Sequence, residues 1–186
     1  MQRPLIVLNG VSSVGNTADG PDLPNSSTDA WMVLGIDLRG TSIPEQLGSD
    51  LRRTQIHSVG QYDFGGENLR VEAAWLRRAA TVASSGVGVT LDEAFLEGGA
   101  AQMGRRIAIE GLDGMWIGIL CDMIATSRRV RACEDRTIGP AAAPFALVHD
   151  GVSFDLTTDT TTTDPLSVAI EIRLAINQLA EDTSPI

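Results

Sequence analysis

An apolar run, Pro4 to Leu8, leads into Gly10-Val11-Ser12-Ser13-Val14-Gly15-Asn16-Thr17, and no other stretch limits the choice of fold so tightly. A short strand feeding a loop bracketed by two glycines and closed by a hydroxyl residue is the pattern GxxxxGK[ST] of a phosphate-binding loop. In that loop backbone N–H groups cradle phosphate oxygens while the lysine reaches the outer phosphates. Here Asn16 stands at the lysine position. All 14 basic residues of the chain are arginine, so no lysine from elsewhere can take its place. Gly10, Ser12, Ser13, Gly15, Asn16 and Thr17 therefore read as a degenerate phosphate loop.

The residues that follow point the same way. A working loop runs straight into a helix whose N-terminus adds orphan N–H groups and a favourable dipole to the anion site. This chain continues Ala18-Asp19-Gly20-Pro21-Asp22-Leu23-Pro24-Asn25-Ser26-Ser27-Thr28-Asp29. Its prolines remove helix hydrogen bonds, and its aspartates put negative charge where an anion would sit. A loop is expected there.

Beyond this point short apolar runs alternate with longer segments of helical period, as in a parallel sheet covered by helices on both faces. Strands are expected at Pro4 to Asn9, Trp31 to Asp37, Val87 to Asp92, Met115 to Cys121 and around Val152 to Thr157. Helices are expected at Glu67 to Ser84, where Leu69, Ala73, Leu76, Ala80 and Ala83 form a stripe, and at Gly99 to Ile109, Met123 to Ala132 and Pro165 to Ala180. Asp164 and Pro165 read as N-cap and first-turn proline. Thr160 to Thr163 reads as a surface connection. With 186 residues, 43% of them hydrophobic, one domain suffices.

A formal charge of −10 argues against nucleic acid or an anionic membrane as partner, since both require clustered cations. The arginine pairs, Arg52-Arg53, Arg77-Arg78, Arg105-Arg106 and Arg128-Arg129, are spread along the chain and read as solvated helix faces or as ion pairs with the many carboxylates. Two cysteines make no disulfide framework, and no segment has the apolar length of a membrane span or a signal sequence, so a cytoplasmic location is expected. The cysteines and histidines lack any ligand spacing, so no metal site is expected. A small molecule is the partner that remains, and a homo-oligomer stays open.

Asp37 closes an apolar strand at the carboxyl edge, where ligands bind in open α/β sheets, and a carboxylate partly buried there can serve as general acid or base. Asp92 and Glu93 end the next strand and offer a second acid. The irregular stretch from Gly40 to Gly66 carries His57 and Tyr62 and reads as a substrate-covering element.

These residues are similar to the chloramphenicol 3-O-phosphotransferase family, small P-loop kinases of the shikimate-kinase-like fold. The resemblance is carried by Leu8-Asn9-Gly10-Val11-Ser12-Ser13, Trp31 with Gly35-Ile36-Asp37, Leu91-Asp92-Glu93-Ala94-Phe95-Leu96 with Gly98-Gly99, and Leu112-Asp113-Gly114-Met115-Trp116-Ile117-Gly118 into Cys121-Asp122. It continues through Asp135-Arg136 with Gly139, Val148-His149-Asp150-Gly151-Val152 with Phe154-Asp155, and Asp159-Thr160-Thr161. It implies a three-layer α/β/α fold with a five-stranded parallel sheet, ATP as cofactor, and Asp37 as the base that takes the proton of an antibiotic hydroxyl. In such kinases a residue at the Asp92-Glu93 position assists Mg²⁺. The departures lie where ATP would act. The family's lid reads Arg-Glu-x-x-Arg-Gly-Asp-Arg, whereas this chain, within a degenerate lid spanning about 126–145, has Arg129-Val130-Arg131-Ala132-Cys133-Glu134-Asp135-Arg136. Phosphoryl transfer depends on positioning and charge stabilisation, so loss of the loop lysine and a lid arginine removes its main catalytic terms.

The expectation is a repurposed, non-phosphorylating member of that family acting on a small natural product by ATP-independent acid/base catalysis: cyclisation, isomerisation, dehydration or hydrolysis. Asp37 leads, Asp92 and Glu93 assist, and His57, Tyr62, Phe95, Arg129 and Arg136 contact substrate. No cofactor is expected; ATP and Mg²⁺ enter only under the rival reading, an ATP-dependent O-phosphotransferase of the antibiotic-resistance kind. A further rival is a non-catalytic protein that binds or sequesters a metabolite.

Overall fold

In a computed structural model of the chain, residues 5–10, 31–42, 55–56, 62–63, 66–112, 114–132 and 148–182 are described. In chain order the elements are β1 (Leu5–Asn9), β2 (Trp31–Gly35), α1 (Ile36–Thr41), β3 (Gln55–Ile56), β4 (Tyr62–Asp63), α2 (Gly66–Ser84), β5 (Gly88–Glu93), α3 (Gly99–Ala108), β6 (Gly114–Leu120), α4 (Met123–Ala132), β7 (Leu156–Asp159) and α5 (Pro165–Asp182).

Five strands form a parallel sheet in the order β2-β5-β1-β6-β7. The central strand shows why a continuous apolar run is needed there. Successive side chains of a strand point to opposite faces, and both faces of β1 are covered. Leu5 and Val7 join Trp75, Leu76 and Ala79 of α2, while Ile6 and Leu8 join Val168, Ile172 and Ile176 of α5. These four apolar side chains of β1 are buried, and each contributes roughly 1.5–3 kcal/mol by leaving water. The result is the α/β/α architecture expected of the chain. Two glycines admit large neighbours: Trp31 lies against Gly88, and the Phe154 ring lies where a Cβ on Gly118 would be 2.9 Å from it.

Several expected boundaries shift. The strand expected at Trp31 to Asp37 stops at Gly35, whose extended φ/ψ of −97° and 159° make it the N-cap of α1, so Asp37 belongs to that helix. The fifth strand begins at Leu156 rather than Val152, because Asp155 docks the incoming chain first: its N–H donates to Trp116 O at 2.8 Å and its Oδ2 accepts the Trp116 N–H at 2.8 Å. Thr160 is not surface chain. It is buried, and its N–H and hydroxyl both donate to Leu120 O, at 2.8 and 3.1 Å. The segment 40–66 holds an antiparallel pair, Gln55 opposite Asp63 and Ile56 opposite Tyr62.

Candidate functional site

The register brings the carboxyl ends of three strands into line. Gly35 pairs with Asp92, Leu8 also with Asp92, and Asn9 with Glu93. Asp37 therefore enters α1 from the strand end beside Asp92, and Gly10 leaves β1 beside Glu93, to whose carbonyl its N–H donates at 3.3 Å. Asp92 is buried at this edge.

Asn9 organises the loops above. It is fully buried, its Nδ2 donates to Val148 O and its Oδ1 accepts the Phe95 N–H, both at 2.8 Å. One side chain thus ties the turn after β5 to the turn at residues 148–151. That β5 turn ends at Gly98, whose φ of 55° is one that side chains with a Cβ rarely adopt, and Gly99 packs directly on Gly151. Gln102 completes the joint by donating to Ser153 O at 2.6 Å and accepting from Ser153 N at 2.9 Å.

Glu93 has a different part from the one expected. It is buried and accepts from Arg105 Nε at 3.2 Å and Nη2 at 2.9 Å. Arg105 Nη2 also meets Glu72 Oε1 at 2.6 Å, and Glu72 Oε1 lies 4.0 Å from Arg39 Nη1. Burial opposes the charge of Arg105, but the carboxylates of Glu93 and Glu72 outweigh it and hold its pKa above the ordinary value. A carboxylate engaged by two guanidinium N–H groups inside the protein is an anchor for α3, so its expected catalytic role is withdrawn. The expectation for Phe95 fails likewise. Its ring is fully buried, 5.9 Å from the Trp116 ring and 4.8 Å beneath the Arg105 guanidinium, and offers no face to a ligand.

The other expected residues divide by place. Asp37 sits in α1, Tyr62 in β4 and Arg129 in α4, and Gly10 is buried at the end of β1. Ser12, Ser13, Gly15, Asn16, Thr17, His57 and Arg136 lie outside the described residues, as do the loop expected at 18–29 and 133–145 of the lid. Ion pairing was one of the readings open for Arg105, but its partners, its burial and the link through Glu72 to Arg39 were not foreseen. A signal for that burial was present: Arg105 shares a helical stripe with Ala101 and Ala108, three and four residues away, which turns it inward rather than to solvent.

The edge is acidic. Asp37, Asp92, Glu93, Asp122 and Asp159 end or follow strands there. Asp122 caps α4 by accepting the Ala125 N–H at 2.7 Å, and Asp159 is held below the usual carboxylate range by the Thr161 hydroxyl first and then by the Thr161 N–H, which it accepts at 2.7 Å. Arg105, which reaches the end of β5, is committed to Glu93 and Glu72. Among the described residues no three His, Cys, Asp or Glu side chains are placed to hold a metal ion. His149, half-buried, packs edge-on to Phe154 at 5.6 Å; burial pushes its pKa down, and its Nδ1 has no hydrogen-bond partner among the described residues. No helix among the described residues is long and apolar enough to cross a membrane.

The family model described as chloramphenicol phosphotransferase-like protein matches residues 3–177. The chain belongs to the chloramphenicol phosphotransferase-like family. Its fold is that of P-loop kinases. The tunicamycin resistance protein of Deinococcus radiodurans superposes with a TM-score of 0.66 at 15% identity, over 94% of this chain and 96% of that one. A gluconokinase from Sinorhizobium meliloti 1021 gives 0.63 at 12% identity, over 98% and 97%. Shikimate kinase of Aquifex aeolicus gives 0.56 at 13% identity, over 95% and 98%. At such identities the likeness is one of fold. No curated protein matches the chain. This member of the chloramphenicol phosphotransferase-like family therefore keeps the family's sheet while its nucleotide loop carries Asn16 in place of lysine.

Proposed function

We propose that the protein does not transfer phosphate and instead acts on a small natural product by nucleotide-independent acid/base chemistry. The observation that carries this reading is Asn16 at the lysine position of the phosphate loop in a chain whose 14 basic residues are all arginine. A loop without its lysine lacks the point charge that holds the outer phosphates, and the acidic strand edge beside it repels them further.

What remains is an acceptor side without a donor. Asp37, in the helix that follows β2, is the leading acid/base. It takes a proton from a substrate hydroxyl or acidic carbon and returns it to a second atom, the proton balance of an isomerisation, dehydration or cyclisation; hydrolysis uses the same base on water. Asp92, buried at the neighbouring strand end, is the second carboxyl in this reading and divides the acid and base roles with Asp37. General acid/base catalysis contributes roughly 10²–10⁴-fold, so Asp37→Asn is expected to lower kcat by about 10²-fold or more while substrate binding persists.

The test is conversion followed by mass spectrometry, with chloramphenicol and a set of hydroxylated antibiotics, with and without Mg·ATP. A product of unchanged mass, or one differing by water, formed without nucleotide and lost in Asp37→Asn supports the proposal. A gain of one phosphate that requires Mg·ATP establishes the rival reading, an O-phosphotransferase, which family membership favours. Tight binding with unaltered ligand on recovery, insensitive to Asp37→Asn, identifies a sequestering protein.

A further inference from the structure

A cleft of about 260 Å³, open to solvent on one side, lies on the α2 and α3 side of the sheet, bordered by α1, α2, α3 and the turn after β5. Space exists there because the facing positions are small: Ala73 on α2, Ala94 after β5, and Ala100, Ala101, Gly104 and Ala108 on α3. Leu69 and Leu96 extend the apolar wall. Leu69 is otherwise hard to place, since it stands on α2 with 52% of its surface exposed.

Four charged residues line this cavity: Glu97 is exposed, and the other three are largely buried. Arg39, Glu72 and Arg105 keep 13%, 18% and 11% of their side-chain surface exposed. Arg105 is satisfied by Glu93, Glu72 and the Ala101 carbonyl. Arg39 is not. Its Nη1 is buried, stands 4.0 Å from Glu72 Oε1, beyond hydrogen-bond range, and has no hydrogen-bond partner among the described residues. A guanidinium donor left in this state costs free energy that an acceptor would recover. So loose an ion pair lets the head group turn towards the cavity it lines. The charge balance restricts what that acceptor can be. Arg39 and Arg105 face Glu72, Glu93 and Glu97, an excess of one negative charge, so an anionic ligand meets net repulsion.

We propose that this lateral cavity binds the apolar body of a neutral small molecule and that Arg39, by donating to one carbonyl, ether or hydroxyl oxygen, selects such molecules over carboxylates and phosphate esters. The inference rests on the proposed function to the extent that α1, which brings Arg39 and Ile36 to the cavity, also carries Asp37. Arg39 is thereby a specificity-determining residue, and the small side chains of α3 set the size of what enters.

The test uses three probes with the same ring and different head groups, acetophenone, benzoate and benzylamine, titrated by ligand-observed NMR against the whole protein. Acetophenone is expected to bind saturably, and benzoate about tenfold more weakly or worse. Arg39→Met, which keeps the stem and removes the donor, is expected to weaken acetophenone by about tenfold or more, the range for a hydrogen bond to a charged group. Ala101→Leu leaves every charge in place, fills the cavity and abolishes binding. Benzoate binding as tightly as acetophenone, or acetophenone binding unaltered by Ala101→Leu, overturns the proposal. Asp37→Asn separates the two readings. Acetophenone bound equally by wild type and Asp37→Asn, with no nucleotide-independent turnover of any substrate, leaves the pocket standing and removes the acid/base function. Turnover that depends on Asp37 with no acetophenone binding does the reverse.

Discussion

Arg105 shows how one side chain can decide what its neighbours are for. It removes Glu93 from the set of acids available for chemistry and covers the Phe95 ring, so both serve the interior. Arg105→Met is expected to destabilise the protein by about 3–5 kcal/mol in urea titration, because it leaves Glu93 buried without its guanidinium. Adding Glu93→Gln should recover part of that loss, whereas additive effects would mean the two residues act independently. Asn9→Leu is expected to cost about 2–4 kcal/mol, since it strips hydrogen bonds from the Val148 carbonyl and the Phe95 N–H in the interior. His149 gives a pH dependence with a definite sign. Unfolded, it titrates near its ordinary value of 6.5, and in the fold burial lowers that value. Between the two the unfolded chain binds the extra proton, so this contribution is complete above about pH 6.5 and declines as the pH falls through that value. His149→Leu should therefore lose less stability than wild type between pH 7.5 and 5.5, and equal losses would exclude the residue as a source. Roles of this kind were poorly legible in the sequence. Glu93 and Phe95 stand beside Asp92 along the chain, but what separates them from catalysis is a partner twelve residues from Glu93 on another element.

Elements were far more legible than individual roles, because hydrophobic period reports which face is covered. The helices at 66–84, 99–108, 123–132 and 165–182 fall within a residue or two of expectation, and Asp164 accepts the Ser167 N–H at 3.0 Å as an N-cap should. The failures have physical causes. Ile36 prolongs an apolar run, yet the chain turns at Gly35 into α1, so apolar character alone overran the strand. The strand expected from Val152 starts late because Asp155 pairs with the Trp116 backbone before the ladder begins. Strands of two residues, Gln55–Ile56 and Tyr62–Asp63, are too short for any period to reveal. On α2 the stripe turned slightly: Trp75, Leu76, Ala79 and Ala83 are buried and Leu69 is not. One cap carries a prediction at this scale. Asp122 accepts the Ala125 N–H at the start of α4, and its own N–H donates to Thr161 Oγ1 at 2.9 Å. Asp122→Ala is expected to cost about 1 kcal/mol, read as a lower denaturation midpoint with an unchanged m-value; no change would mean that another group satisfies the helix N-terminus.

For the whole molecule the question is what a kinase architecture does when its nucleotide loop is altered. Fold does not dictate chemistry, and a parallel sheet with its ligand edge intact can serve reactions that need a carboxylate and no phosphate donor. The chain keeps the P-loop kinase sheet order and a carboxylate in the helix after β2, and it lacks the lysine. Restoring that one residue is expected to be insufficient: Asn16→Lys should not confer ATP hydrolysis, because the aspartates at 19 and 22 and the lid cysteine at 133 remain. Measurable ADP release by that variant would show the site to be one substitution from function. Calorimetric titration of the wild-type protein with Mg·ATP and Mg·GTP at millimolar nucleotide tests the central claim most directly. The account predicts no saturable heat with either nucleotide, and a saturable isotherm with one-to-one stoichiometry would contradict it.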